Sequence, residues 1–247
     1  MKEQYTTANP DFAVSPIVAS SRVSDSTSSA LVRQNLFVSA SPHPKWTALY
    51  EISKRGFDLT AAIALIILLF PLFIAIALAI RLSTEGPVIF RHSRLGLGGR
   101  KFDCIKFRTM VQNAEDLLER NPALRHHFYQ KFKMDDDPRV TKLGKFLRST
   151  SLDELPQLFQ VVQGKMSLIG PRPIVDRERE KYSIYVAKLF SVKPGLSGLW
   201  QVSGRSETTY AERVLLDMYY IDHRGPIMDL KIVAKTFVTL LKRTGAR

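Results

Sequence analysis

Two adjacent carboxylates in Ser151-Leu152-Asp153-Glu154-Leu155-Pro156-Gln157-Leu158 are the residues of this chain best placed to do chemistry. Leu152, Leu155, Phe159 and Val162 recur at three- and four-residue steps, the spacing of one buried helical face, and the two acids fall off that stripe. Ser151 with Glu154 three residues on has the form of a capping box, although Pro156 then lies deep. With Asp153 as the cap instead, Pro156 falls in the first turn. Either register predicts both acids at a helix N-terminus, where unpaired N–H groups and the macrodipole favour ionised carboxylates. Neighbouring helical positions diverge by about 100°, so the two side chains would divide their tasks. A nucleophile and a metal ligand is one natural division; helix capping alone is the plainer alternative.

An anionic substrate for such a pair needs fixed cations. Gly170-Pro171-Arg172-Pro173 is a rigid turn in which Pro171 and Pro173 hold one arginine, whose planar fork matches phosphate oxygens. An ordinary turn with a solvated charge is the alternative. The Gly- and Ser-rich run from Lys193-Pro194-Gly195 through Trp200-Gln201 to Gly204-Arg205 either borders a ligand or connects elements. Arg94-Leu95-Gly96-Leu97-Gly98-Gly99-Arg100-Lys101 carries G-x-G-G, which is neither a dinucleotide fingerprint nor a P-loop. It reads as a hairpin turn, or as backbone N–H groups beside basic residues that meet phosphate. His126-His127 lack a ligand spacing and read as surface. Asp135-Asp136-Asp137-Pro138 reads as an acidic turn, with cation binding as the alternative. Cys104, the single cysteine, excludes an internal disulfide and reads as a packed thiol in an alternating run.

The elements that must position these groups divide the 247 residues into three regions. Residues 1–45 contain nine serines, four basic and three acidic residues and no sustained periodicity, which predicts a disordered tail. No basic stretch followed by an apolar core marks a secretory signal there. Residues 46–81 form an interfacial approach and an apolar helix. Trp46, Leu49, Tyr50, Ile52 and Phe57 alternate with Lys45, Lys54 and Arg55, a membrane-boundary composition, and residues 61–80 contain no polar side chain. Twenty residues at ~1.5 Å each just cross a ~30 Å hydrocarbon core. Pro71 near the middle favours a kink, and Lys54, Arg55, Arg81, Arg91 and Arg94 place positive charge at both ends. The residues alone leave a spanning helix and a re-entrant hairpin open.

Residues 82–247 form a basic domain. A turn at Gly86-Pro87 leads into a strand, residues 102–107 alternate as a second strand, and residues 114–120 and 210–220 read as helices. In the last helix Leu230, Val233, Phe237 and Leu240 share a face opposite Lys231, Lys235, Lys242 and Arg243, which fits a docked core helix or one lying in a membrane plane. The net charge of +13 calls for acidic partners: phosphate-bearing substrates, anionic lipid or nucleic acid. Acids interleave with the basic residues and no nucleic-acid motif is present, so nucleic acid is not an expected partner.

Taken in order, these motifs are more specific than any one of them. Lys54-Arg55-x-x-Asp58, Pro71, Gly86-Pro87, Phe90, Arg94-x-Gly96, Lys106-Phe107-Arg108-Thr109-Met110, Asp137-Pro138-Arg139-Val140-Thr141, Leu147-Arg148, residues 151–158, Gly170-Pro171-Arg172-Pro173 and Lys193-Pro194-Gly195 through Gly204-Arg205 cover about four-fifths of the chain. In this set the chain resembles the bacterial sugar transferases, monotopic phosphoglycosyl transferases of surface polysaccharide assembly, and among them the smaller exopolysaccharide-type members.

The resemblance implies an α+β fold, mostly helical with a small β element, in a monotopic membrane protein with a Pro71-kinked re-entrant helix. It implies transfer of a hexose-1-phosphate from a UDP-sugar to undecaprenyl phosphate with release of UMP, through a phosphosugar–aspartyl intermediate on Asp153. Glu154 would be the Mg²⁺ ligand; Lys106, Arg108, Arg148 and Arg172 would bind substrate phosphate, and Pro171, Pro173, Gln201 and Arg205 would border nucleotide or sugar. The expected place is the cytoplasmic face of the bacterial inner membrane, among its lipids. Downstream glycosyltransferases are expected partners, and homo-oligomerisation is left open. Galactosyl or glucosyl phosphate is the usual donor group of such members, but no residue here fixes the sugar. One departure is Phe70, where relatives can carry Ser before the kinking proline. The competing readings are an anchored basic module for nucleic acid or anionic lipid, with steep salt dependence, and a non-catalytic assembly scaffold.

Overall fold

Apolar residues without interruption form one long helix. α1 spans Thr47–Ser83 and contains the whole apolar run, with Pro71 inside it. The computed structural model describes residues 47–120, 137–204 and 208–242. The 1–45 tail, His126-His127, Asp135-Asp136 and Arg205 lie outside the described residues. The chain falls into two units, 1–52 and 53–247; of the first, only the residues that open α1 are described.

After α1, β1 (Ile89–Leu95) and β2 (Lys101–Phe107) pair antiparallel from Ile89↔Phe107 to Leu95↔Lys101, so the glycine loop is the hairpin connection. Then follow α2 (Ala114–Arg120), α3 (Lys142–Thr150), α4 (Gln157–Val162) and β3 (Ser167–Ile169). Two short helices, α5 (Arg179–Tyr182) and α6 (Val186–Leu189), precede β4 (Gly195–Ser197), which pairs parallel to β3. α7 (Leu199–Ser203), α8 (Tyr210–His223) and α9 (Pro226–Lys242) complete an architecture that is mostly helical with small sheets.

One side of α1 is built into the domain. Arg55 donates to the carbonyls of Val161 and Val162 at 2.6 and 2.9 Å, a cation at the C-terminal end of α4. Buried Asp58 accepts from the Ser167 hydroxyl (2.7 Å) and the Leu168 N–H (3.1 Å) at the start of β3. Ala62 packs with Leu158, Val161 and Met166, and Ile76 and Ile80 pack with Phe107 and Leu147. Phe73 bridges the halves, with its ring 5.8 Å from Phe107 and 5.6 Å from Phe159.

The opposite side of α1 is bare. Ile63, Ile67, Leu68, Phe70, Ile74 and Leu78 are all exposed, Leu68 at 73%. A row of aliphatic and aromatic side chains without polar cover is the composition of a surface that meets lipid. α1 is thus one long apolar helix of the kind that anchors a monotopic membrane protein. The expected helix–break–helix is one assigned helix that continues through Pro71.

α9 resolves its two readings in the same way. Ile232 is fully buried and docks the helix, while Leu230, Phe237 and Leu240 of the predicted apolar face are exposed. Lys54 of α1 pairs with Asp229 at 2.8 Å, and the Tyr220 hydroxyl donates to the same carboxylate at 2.8 Å.

Candidate active site

The acid pair lies in a 3₁₀ turn whose N-cap is Ser151, without a side-chain cap bond, and ahead of the following α-helix instead of at its start. α3 ends at Thr150 and Ser151 turns left-handed (φ 58°), returning its N–H to the carbonyls of Leu147 and Arg148. Leu152–Glu154 then form one 3₁₀ turn, and α4 begins only after Pro156, its N-cap. The physical reason is the proline: lacking an N–H, it fits where no helical bond is due, and this sets the start of α4 beyond both acids. A non-glycine residue in left-handed conformation costs about 1 kcal/mol, the kind of local strain found beside functional groups.

The buried face also differs from the predicted stripe. Gln157, Leu158, Gln160 and Val161 are buried, whereas Phe159 is exposed. Gln160 takes a core position because it completes the open edge of β2. Its amide donates to the Asp103 carbonyl (2.5 Å) and accepts from the Ile105 N–H (3.1 Å). Asp153, expected off the buried face, is itself buried.

Around the acids the structure gathers cations. Lys106 of β2 forms an ion pair with Glu154, and Arg172 stands 3.7 Å from the same carboxylate. Burial would raise the Glu154 carboxyl, but Lys106 foremost and then Arg172 outweigh it and hold it at about 2. Asp153 answers differently. Burial pushes its carboxyl up to about 6, with Glu154 adding to the rise and Lys106, Arg148 and Arg172 opposing it. Two neighbouring acids therefore shift in opposite directions, because the cations outweigh burial at Glu154 and do not at Asp153. Arg148 is steered by a bond from its Nε to the Thr109 hydroxyl at 2.9 Å.

A narrow cleft opens at this point, bordered by Lys106, Glu154, Arg172, Pro173 and Gln201. Sequence reasoning placed those five; it raised Arg94 only within a glycine loop that could meet phosphate and Gln157 only within the acid motif, and it read Cys104 as packing, although all three border the cleft too. The signal for Arg94 was strand alternation. Arg94 lies opposite Phe102 in the hairpin, and Phe102, Cys104 and Lys106 share one face of β2. Cys104 is buried, and its burial raises the thiol, in keeping with a packed residue. Pro171 lines an adjoining slot with Phe190 and Pro194.

Two candidates stand elsewhere. Arg108 is buried and donates through Nη2 to the Thr84 carbonyl (2.9 Å) and hydroxyl (2.7 Å), just past the end of α1, and it does not border the cleft. Pro71 belongs to α1. In the acidic turn, Asp137 is buried and paired with Arg139 at 2.7 Å.

Four fixed cations about two carboxylates make a receptor for a polyanion such as a diphosphate. For a divalent cation the donors on hand are Glu154 and its neighbour Asp153; among the described residues no cluster of three His, Cys, Asp or Glu side chains occurs. That set fits Mg²⁺, which is commonly bound by one or two carboxylates together with substrate phosphates.

Comparison with known proteins agrees with this geometry. Residues 49–243 match the bacterial sugar transferase family. The chain belongs to that family. The match takes in most of α1 and all of α9. Among its relatives are the UDP-galactose-lipid carrier transferase of Erwinia amylovora, 45% identical over 78% of this chain, and the undecaprenyl-phosphate galactose phosphotransferase of Salmonella typhimurium, 44% identical over 78%. The chain spans only 41% of the length of each of these two relatives. The exopolysaccharide production protein ExoY of Sinorhizobium fredii is 42% identical over 79% of this chain and 88% of its own length. Within this family match the chain joins one long apolar helix to a cleft lined by cations.

Proposed function

We propose that this chain transfers a hexose-1-phosphate from a UDP-sugar to undecaprenyl phosphate, releasing UMP, as the first membrane step of exopolysaccharide assembly. The observation that carries the reading is a buried carboxylate, Asp153, beside an acid clamped by Lys106 and Arg172, in a domain whose longest helix turns a bare apolar side outward. The names of the relatives supply the substrate classes.

In the first step an oxygen of ionised Asp153 attacks the phosphorus that carries the sugar. The bond from that phosphorus to the bridging oxygen breaks, and its electron pair leaves with UMP. In the second step an oxygen of the polyprenyl phosphate attacks the same phosphorus and frees the carboxylate. A carboxylate nucleophile needs no base of its own. Arg148 stabilises the ionised form of Asp153, while Lys106 and Arg172 neutralise the diphosphate as charge shifts toward the leaving group. Mg²⁺, held by Glu154 with the substrate oxygens, would supply further neutralisation of the leaving phosphate. Gln201 and Pro173 border the cleft where sugar or nucleotide would rest.

The bare side of α1 and the exposed apolar residues of α9 hold the domain against the cytoplasmic face of the inner membrane, where the acceptor phosphate lies. Both ends of α1 are assigned to that face, because residues 54–58 and 76–80 pack against the same domain. The lipid-linked product is the acceptor for downstream glycosyltransferases. Asp153→Ala is expected to abolish UMP release, and wild-type enzyme given UDP-sugar without lipid is expected to gain the mass of a hexose phosphate on Asp153. Undiminished turnover in the variant would overturn the assignment. Cysteines introduced at residues 2 and 247 are both expected to be labelled from the cytoplasmic side only; labelling from opposite sides would overturn re-entry.

A further inference from the structure

Arg94 has no part in the chemistry above, yet it borders the same cleft. Its position is fixed from two directions. The hairpin register puts it on the face of Lys106, and its Nη1 donates to the Pro173 carbonyl at 3.1 Å, in the turn that carries Arg172. One acid, Glu178, stands 3.7 Å from that nitrogen. Two guanidinium groups thus converge on one cleft, and the proton on Arg94 is loosened by burial first and by Arg172 next. Like charges held together in a half-buried site are unfavourable until an anion comes between them.

The cations are also ordered along the cleft. Arg172 stands 3.7 Å from Glu154, the neighbour of Asp153, and Arg94 is bonded to the carbonyl of Pro173, the residue after Arg172. The acid pair therefore marks the end where attack occurs, Arg172 the middle, and Arg94 the far end. A diphosphate attacked at its sugar-bearing phosphorus by Asp153 extends its second phosphate away from the acid pair. We propose that Arg94, with Arg172, grips that second phosphate, the one that leaves as part of the nucleoside monophosphate. The inference rests on the transferase reading and adds a residue to it: Arg94 selects a diphosphate donor over a monophosphate one and holds the departing group in line.

The alternative role for Arg94 is a tie between hairpin and turn through Pro173. Arg94→Gln separates the two, because glutamine keeps a donor for that carbonyl and removes the charge. Titration calorimetry with UMP itself is expected to show roughly 10- to 100-fold weaker binding to Arg94→Gln than to wild type, the loss typical of a charge-assisted contact. Arg94→Lys is expected to lie between them, since a point charge lacks the fork. In turnover, KM for the UDP-sugar rises in Arg94→Gln while KM for polyprenyl phosphate stays within about twofold. Equal UMP affinities in wild type and Arg94→Gln overturn the inference, as does a variant whose loss is confined to polyprenyl phosphate. Wild type that binds UMP in an Arg94-dependent way but forms no lipid product refutes the transferase reading and leaves Arg94 as a nucleotide contact. Wild type that does not bind UMP refutes both.

Discussion

A single methyl group on Gly144 would test how tightly the acid-bearing turn is seated. Gly144 lies in the first turn of α3, its N–H bonded to the Thr141 hydroxyl at 2.8 Å. A Cβ there would stand 2.0 Å from the Thr109 carbonyl oxygen and 2.7 Å from its carbon, backbone atoms with no side-chain freedom to yield. That carbonyl also accepts from the Thr141 N–H at 3.0 Å. Ordinary contact begins at 3.4 Å, so α3 must retreat by 3.4 − 2.0 = 1.4 Å. The same helix carries Arg148, whose Nε bonds Thr109 at 2.9 Å, and it hands the chain directly to the Asp153 turn. Overpacking of this kind costs about 1–3 kcal/mol, or very roughly 2–12 °C in Tm for a chain of this size. A displacement of about 1 Å at the reacting groups costs on the order of 100-fold in rate. Gly144→Ala is therefore expected to lose about two decades in UMP release while remaining folded in detergent. Gly56→Ala is the control, because nothing lies within 4 Å of its added methyl. Gly144→Ala with turnover within about twofold of wild type and an unchanged Tm would refute the coupling of α3 seating to catalysis.

Two further outcomes follow from the exposed stripe and from the core. Leu68→Lys places a charge on the bare side of α1, at a cost of about 2.5–3.5 kcal/mol in lipid. The protein is expected to move from the membrane to the soluble fraction with an unchanged Tm in detergent; retention in the membrane would contradict the lipid-facing assignment. Asp217 is wholly buried, and burial drives its carboxyl up to about 7 against the opposing bond from Tyr182 at 2.7 Å. An unfolded aspartate ionises near pH 4, so stability falls as pH rises from about 4 to 7, by at most about 4 kcal/mol. Asp217→Asn is expected to flatten that slope in denaturation series at pH 5 and 8; an identical slope would sink the assignment.

Local features were legible where they depend on neighbours in the chain. The hairpin follows from Gly96-Leu97-Gly98-Gly99 between alternating runs, α2 appears at 114–120 as expected, and the long helix needs only its apolar composition. The errors came where distant partners decide. Phe159 looks like a core residue beside Leu155 and Val162, but Gln160 is buried in its place because β2 has an edge to satisfy 55 residues earlier. Asp153 and Glu154 look equivalent in sequence; their opposite proton affinities arise from Lys106 on β2 and Arg172 beyond β3. Lys106 and Arg108 sit in one motif and would share a face of a longer strand, but β2 ends at Phe107, and Arg108 beyond it reaches Thr84 while Lys106 reaches the cleft. Arg94 was visible only as part of a glycine loop, since register assigns its face.

Arg55 and Asp58 give α1 a standing that a tether would not have. A tether can be cut and replaced by any hydrophobic segment of sufficient length. Here the anchoring helix supplies a carboxylate to the start of β3 and a guanidinium to the end of α4, the helix that follows the acid turn. A water-soluble enzyme made by deleting residues 47–83 would lack one wall of its own interior. The depth at which the proposed catalytic groups would meet a bilayer is accordingly set by how α1 packs into the domain and not by how firmly the protein adheres.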